Sequence, residues 1–316
     1  MTPPATASLE NTVADDQHTR RAVLVIGAYG MLGRDLMQVL EGSGFNPLGW
    51  DLDHIDITSP VDVQAKLPDA GADLVINCAA YTAVDRAETD ADPAFAVNRD
   101  GVAHLAESCA ALHIPLIHIS TDYVFDGNAD RPYREDDTTN PIGVYAISKW
   151  EGEEALRERM KQHLIVRTAW LYGVHGHNFV KTILRLASER EEIRVVADQH
   201  GCPTWTMDLA AALLAMARKI ISDRSGVPWG TYHFCGGGQT TWHEFAEAIV
   251  ALGRRWQDLQ VQRVAPITTA DYPVPARRPP WSVLDCGKIS AAFGVTPRPW
   301  QGALETMMRE LHGHAP

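Results

Sequence analysis

Residues 22–41 read Ala-Val-Leu-Val-Ile-Gly-Ala-Tyr-Gly-Met-Leu-Gly-Arg-Asp-Leu-Met-Gln-Val-Leu-Glu, and this stretch decides the fold. Five consecutive apolar residues, Ala22–Ile26, suit a strand buried on both faces. Gly27, Gly30 and Gly33 follow at three-residue spacing, and from Met31 to Glu41 the apolar positions recur with helical periodicity. Strand, glycine turn and helix in that order make a phosphate-binding turn. Glycine permits the tight turn, lets the backbone approach a pyrophosphate and allows close packing of helix on strand. The first N–H groups of the helix then point at the phosphates. Asp51 stands 24 residues after Gly27, at the end of the next strand. A carboxylate there suits the adenosine ribose 2′-OH of NADH and repels the 2′-phosphate of NADPH. Arg34 or another nearby cation would offset that preference, so both cofactors stay open.

Outward from this unit the alternation continues. Pro47–Trp50 reads as a second strand, Asp73–Asn77 as a third, Pro115–Ser120 as a fourth and His163–Thr168 as a fifth. Ser59-Pro60 and Asp92-Pro93 each combine an N-cap with Pro at the first helical position. The second of these devices opens a helix over 93–112, and a further helix spans Val144–Lys161. Strands alternating with helices predict an α/β fold: a doubly wound, parallel-sheet Rossmann domain. After Leu171 the rhythm loosens, and Gly236–Gly238 and Pro273–Pro280 separate shorter helices, as in a smaller C-terminal α/β substrate lobe. The expected division is a disordered tail over 1–20 and a dinucleotide-binding domain over 21–172, to which residues 205–233 return. Residues 173–204 and 234–316 form the substrate lobe.

Composition narrows the function classes. Lys and Arg total 28 against 40 Asp and Glu, a net charge of −12, and such a surface repels nucleic acid. No apolar run approaches the roughly 18–20 residues that span a bilayer, and residues 1–21 lack the apolar core of a secretory signal. The five cysteines, Cys78, Cys109, Cys202, Cys235 and Cys286, are odd in number and never spaced CxxC. That argues against a disulfide framework or zinc ribbon and for a reducing cytoplasm.

The chemistry sits in Tyr145-Ala-Ile-Ser-Lys149, where helical spacing puts Tyr145 and Lys149 on one face a single turn apart. A phenol is a reluctant acid at neutral pH, and the expected part of Lys149 is to lower its pKa and to hold the nicotinamide ribose. Open α/β sheets bind ligands at the carboxyl ends of their strands, so the third group is sought at the end of the fourth strand. Thr121 offers a hydroxyl to the reacting carbonyl there, with Ser120 as its rival.

Several blocks then carry a resemblance. The glycine spacing resembles the extended branch of the short-chain dehydrogenase/reductase superfamily. Asn77–Glu88 (NCAAYTAVDRAE), Ser120–Gly127 (STDYVFDG), Asn140–Tyr145, Arg167–Gly173, Asn178–Ala187, Asp198–Thr204, Thr241–Phe245 and Pro273–Pro279 are together similar to the dTDP-4-dehydrorhamnose reductase family. The resemblance covers roughly residues 21 to 310 and implies reduction of the C4 ketone of a dTDP-6-deoxy-4-hexulose by NADPH or NADH. Carried over, it makes Thr121, Tyr145 and Lys149 the catalytic triad. Within the cofactor-binding turn of Gly27 and Gly33, Gly30, Met31 and Leu32 become pyrophosphate contacts, and Asp51 the ribose acid. Asp56 and Ile57 fall on the adenine side, Ala80, Tyr81 and Thr82 beside the cofactor, and Thr121, Asp122 and Trp170 against the substrate. Arg278 is a further candidate for the substrate diphosphate, an anion that needs local cations on an acidic protein, and Arg277 could serve instead. A nucleotide-sugar epimerase or dehydratase and a non-catalytic regulatory subunit are the alternatives. Asp122-Tyr123 offers only one acid where a dehydratase would be expected to carry two. A homodimer is open, no metal is expected, and neither nucleic acid nor membrane is an expected partner. His175 and His177 lack acidic or thiol companions at ligand spacing. The tryptophans of the C-terminal part read as core and pocket wall, and Gly302–Leu311 as a packing helix.

Overall fold

The computed structural model describes residues 20–313, so the expected tail lies, Arg20 apart, outside the described residues. Six strands build the main sheet: β1 (Ala22–Ile26), β2 (Asn46–Trp50), β3 (Leu74–Asn77), β4 (Leu116–Thr121), β5 (His163–Thr168) and β6 (Gly230–His233). All pair in parallel, in the order β6-β5-β4-β3-β1-β2. The chain runs outward from β1 to β2, then crosses back to β3 on the other side of β1. Where the direction reverses, the connections leaving the two carboxyl ends part and open a crevice.

The principal helices are α1 (Met31–Glu41), α2 (Pro60–Lys66), α3 (Gly101–Ala111), α4 (Val144–Arg159), α5 (Phe179–Glu189), α6 (Thr206–Ser222), α7 (Trp242–Gly253) and α8 (Trp300–Leu311). One face of the sheet is covered by Leu32, Leu36 and Leu40 of α1 with Leu209, Leu213 and Met216 of α6. The other is covered by Val63 of α2, Leu105 and Cys109 of α3 and Leu156 of α4. Burial on both sides is why β1 is a continuous apolar run rather than an alternating one. Each fully buried leucine contributes about 1.5–3 kcal/mol. A second core lies beyond β5, where α5, α7 and α8 close around Phe245, Trp205 and Trp300. There, Glu192–Val196 pairs in parallel with Arg263–Ile267.

Boundaries shift by a residue or two. The strand predicted from Pro115 starts at Leu116 and ends on Thr121, and the helix predicted to Lys161 ends at Arg159. Ser59 caps α2 as expected, accepting from the Asp62 N–H, with Pro60 in the first turn. The Asp92-Pro93 cap is corrected. Helix begins at Ala91 and makes a π turn over Ala96–Asp100 before continuing as α3. Pro93 is third in that helix, where an N–H has no intrahelical acceptor to lose.

Candidate active site

Gly27 has φ +80°, and a Cβ there would stand 2.7 Å from the Ala79 nitrogen. A Cβ on Gly33 would stand 2.2 Å from the Gly27 carbonyl oxygen. Only glycine lets the turn fold this tightly onto itself and onto the loop after β3. The N–H groups of Gly27 and Ala28 both donate to the Trp50 carbonyl, and that of Tyr29 to the Asp51 carboxylate at 3.0 Å. Helix geometry leaves the N–H groups of Met31, Leu32 and Gly33 for an outside acceptor. Beside them opens a cleft of about 450 Å³ lined by Gly27, Gly30, Asp51, Asp56, Ile57, Ala80 and Tyr81. Asp51 uses one oxygen for Tyr29 and the other for the Leu52 N–H. A carboxylate has further lone pairs, so capacity remains for a diol. Glycines that a side chain would block, free amides and this acid fit a dinucleotide. The remaining candidates split. The Leu32 side chain belongs to the sheet core and Thr82 is exposed. Ile57 packs against Gly101, while the Met31 sulfur meets the Asn178 amide.

Thr121 ends β4 opposite the first turns of α4, which carry Tyr145 and Lys149. The Ser120 hydroxyl donates to Glu153 inside the protein, which leaves Thr121 as the hydroxyl beside the phenol. Thr121 donates to Asp122 Oδ1 at 3.0 Å. Asp122 is 2% exposed and its Oδ2 has no partner. Burial pushes this carboxyl up to about 7, against the pull of Ser282 and Thr121.

The expected action of Lys149 on Tyr145 is corrected. Burial pushes the Tyr145 phenol up to about 12, and the group that opposes the rise is Thr121. Lys149, 2% exposed, donates to the Ile119 carbonyl at 2.7 Å and lies 3.3 Å from His118 Nε2. Burial draws its ammonium down to about 8. Asn77 Oδ1 accepts from the Ala79 N–H, so its amide NH₂ faces His118 Nδ1 at 3.1 Å. Nδ1 then accepts from that amide. A helical spacing puts two side chains on one face, but it does not say which way the longer one bends.

A second cleft, about 580 Å³, is lined by Tyr123, Phe179, Gln199, Trp242, Tyr272 and Arg278 among others. It meets the catalytic groups through Tyr123, whose ring stands edge-on to Tyr145 at 6.0 Å. Trp170, expected to stack on substrate, has φ +47° and lies flat on Trp242 at 3.5 Å. Gly201 crowds its ring, and of the two stacked indoles Trp242 is the one that lines the cleft. Arg278 reaches the cleft, but both its terminal nitrogens bond Asp85, at 2.9 and 2.8 Å. Arg277 is exposed. His175 lies 3.6 Å from Asp35, and among the described residues no three His, Cys, Asp or Glu side chains are grouped to hold a metal.

The chain matches the family model described as RmlD substrate binding domain over residues 21–312. It is 44% identical to a dTDP-4-dehydrorhamnose reductase of Sinorhizobium fredii, over 82% of this chain and 87% of that one. The chain belongs to the dTDP-4-dehydrorhamnose reductase family. Two solved structures agree. A family member from Clostridium acetobutylicum superposes with a TM-score of 0.85 at 38% identity, covering 92% of this chain and 99% of that one. One from Bacillus anthracis, in complex with NADP, gives 0.84 at 36% identity with the same coverage.

Two buried groups that hold the site were not singled out from the sequence. Asn98, in the π turn, accepts from the Tyr81 N–H at 2.9 Å and donates to the Tyr81 carbonyl and to Ser148, both at 3.0 Å. It thereby ties the cofactor-side loop to α4. Glu153 receives Ser120, Arg157 and Arg167. Burial alone would raise its carboxyl, but the two guanidinium groups prevail and hold it at about 2. The available signal was weak: an asparagine inside a helical run, and a glutamate one turn after Lys149.

Proposed function

We propose that this chain reduces the C4 ketone of dTDP-4-dehydro-β-L-rhamnose to dTDP-L-rhamnose, the last step of dTDP-rhamnose biosynthesis, with NADPH or NADH. The observation that carries the reading is that two clefts flank the helix of Tyr145: one, which fits a dinucleotide, includes Tyr81, tied through Asn98 to Ser148, and the other, with aromatic walls and an arginine, reaches Tyr145 through Tyr123. Residues 21–172 and 205–233 form the dinucleotide-binding unit in this reading, and 173–204 with the chain from 234 onward the substrate lobe.

The bound reduced nicotinamide supplies the hydride. The chain's own residues manage the oxygen. Tyr145 holds its proton firmly in the buried site and gives it up only to a strong base, which the alkoxide formed on the sugar is. The Thr121 hydroxyl orients the ketone oxygen beside the phenol. Lys149 brings positive charge to the base of the site, available to a ribose hydroxyl as well as to Ile119. Met31, Leu32 and Gly33 present N–H groups to the pyrophosphate, and Asp51 takes the adenosine ribose. Trp242 and Tyr123 wall the sugar nucleotide, with Arg278 as the cation for its diphosphate. Asp122 is a single acid beside Thr121, with Tyr123 after it, which disfavours the dehydratase alternative. Intact Tyr145 and Thr121 disfavour a non-catalytic subunit. No helix among the described residues is long and apolar enough to cross a membrane. We place the enzyme in the cytoplasm, with a homodimer as its assembly.

The test is a coupled assay offering the purified chain the 4-keto-hexulose with NADPH and, separately, NADH. Consumption of either reduced cofactor with formation of dTDP-L-rhamnose supports the reading. No turnover with either, in a preparation that still binds cofactor, removes it.

A further inference from the structure

Cysteines far apart in sequence converge outside the catalytic site. Cys235 follows β6, Cys286 precedes the short helix Gly287–Phe293, and their sulfurs stand 3.6 Å apart. The Cys235 N–H donates to the Cys286 sulfur at 3.3 Å. Cys202 approaches from a third segment and packs in the same buried cluster as Cys235. All three line a cavity of about 380 Å³ that Gly236–Gly238 and Ser290 complete. Their accessibilities differ: Cys235 and Cys202 are each 2% exposed, and Cys286 is only partly buried.

We propose that Cys286 and Cys235 are a peroxide-oxidisable thiol pair, Cys286 the attacking sulfur and Cys235 the resolving one. The oxidant is a hydroperoxide small enough for the cavity. The Cys286 thiolate, supported by the Cys235 N–H, attacks one peroxide oxygen. The O–O bond breaks, an alcohol or water leaves, and Cys286 becomes a sulfenic acid. The Cys235 thiol attacks that sulfur, the S–S bond forms, the S–O bond breaks and water leaves. Two thiols lose two electrons and one peroxide gains them. The sulfurs need only close from 3.6 Å to a bond length of about 2.05 Å. Cys78 and Cys109 lie in other segments, Cys109 fully buried and Cys78 partly buried on the dinucleotide cleft. They are internal controls. The new bond would tie the end of β6 to the loop leading from Ser282, which faces Asp122.

The experiment treats the whole chain with stoichiometric hydrogen peroxide, blocks free thiols and maps tryptic peptides by mass. The expected product is a Cys235–Cys286 disulfide that dithiothreitol reverses, with Cys78 and Cys109 unmodified. In Cys235→Ala, Cys286 should stop at a sulfenic acid that dimedone traps. A wild-type map in which these two cysteines stay unlinked while Cys78 or Cys109 oxidise overturns the proposal. So does a Cys202–Cys235 disulfide in their place.

Discussion

Thr121 has one proton and two claimants for it. While Asp122 is charged, it takes the Thr121 hydroxyl hydrogen. Once protonated, Asp122 can donate instead, which frees that hydrogen for the ketone oxygen. Turnover should therefore fall as pH rises through about 7. In Asp122→Asn, whose amide does not titrate, that limb should be flat. Stability gives a second readout. The folded carboxyl titrates above the ordinary value of about 3.9, so the folded protein keeps a proton that the unfolded chain releases. Stability then declines between roughly pH 4 and 7, by an amount on the order of a few kcal/mol. Wild type should lose Tm from pH 5 to pH 7.5 relative to Asp122→Asn, and parallel curves would contradict the assignment. Tyr145→Phe tests the neighbouring group more simply. It keeps the ring and removes the proton, so kcat should drop at least about a hundredfold, while a cofactor titration reads an unchanged Kd. At this scale the sequence was informative wherever function depends on local spacing: Tyr145 and Lys149 share a helix face, and Thr121 ends a strand. It was silent on what Lys149 points at, because His118 and Ile119 reach it from β4, about thirty residues earlier in the chain.

The helix that carries Tyr145 is held from several sides. Glu88 accepts the Val144 N–H at 2.8 Å, capping the start of α4 from a distant segment. Glu153 anchors the same helix to β5 through Arg167. Gly152 lets the π turn approach: a Cβ there would meet the Asn98 carbonyl oxygen at 2.0 Å. Gly152→Ala should cost about 1–3 kcal/mol by overpacking, read as a lower Tm. It should also weaken cofactor binding, because Asn98 holds the Tyr81 loop from that turn. An alanine variant as stable as wild type would show that the π turn can move away. The existence of these helices was legible from their apolar period. The π turn was not, because one extra residue in a turn leaves that period almost intact. Nor was the Glu88 cap, which joins residues 56 apart.

Across the whole molecule, the parallel sheet and its crevice followed from repeated strand–helix units. The far wall of the substrate cleft did not, since it is assembled from short segments whose pairing only long-range contacts decide. Trp170 and Trp242 illustrate it: the first was read against the substrate and the second as core or pocket wall, but which of the two faces the cleft depends on their mutual stacking. Calorimetric titration with dTDP should therefore find Trp242→Ala weaker than wild type by about tenfold or more, a loss of one to two kcal/mol of aromatic burial. Arg278→Ala should also bind less tightly, though by less than a free guanidinium would suggest, because the ligand must compete with Asp85. Wild-type affinity in both variants would place the nucleotide elsewhere.

Met31 begins the phosphate-binding helix, and its side chain also lies under Gly173, Gly176 and Asn178, where the chain enters the second lobe. A dinucleotide settling on the first turn of α1 should thus stiffen the footing of the lobe proposed to receive the sugar. The two ligands should enter in a preferred order, cofactor first, and each should tighten the other by the same factor. Titrating dTDP into the chain with and without NADPH measures that factor directly, and identical affinities would mean that the two halves act as strangers.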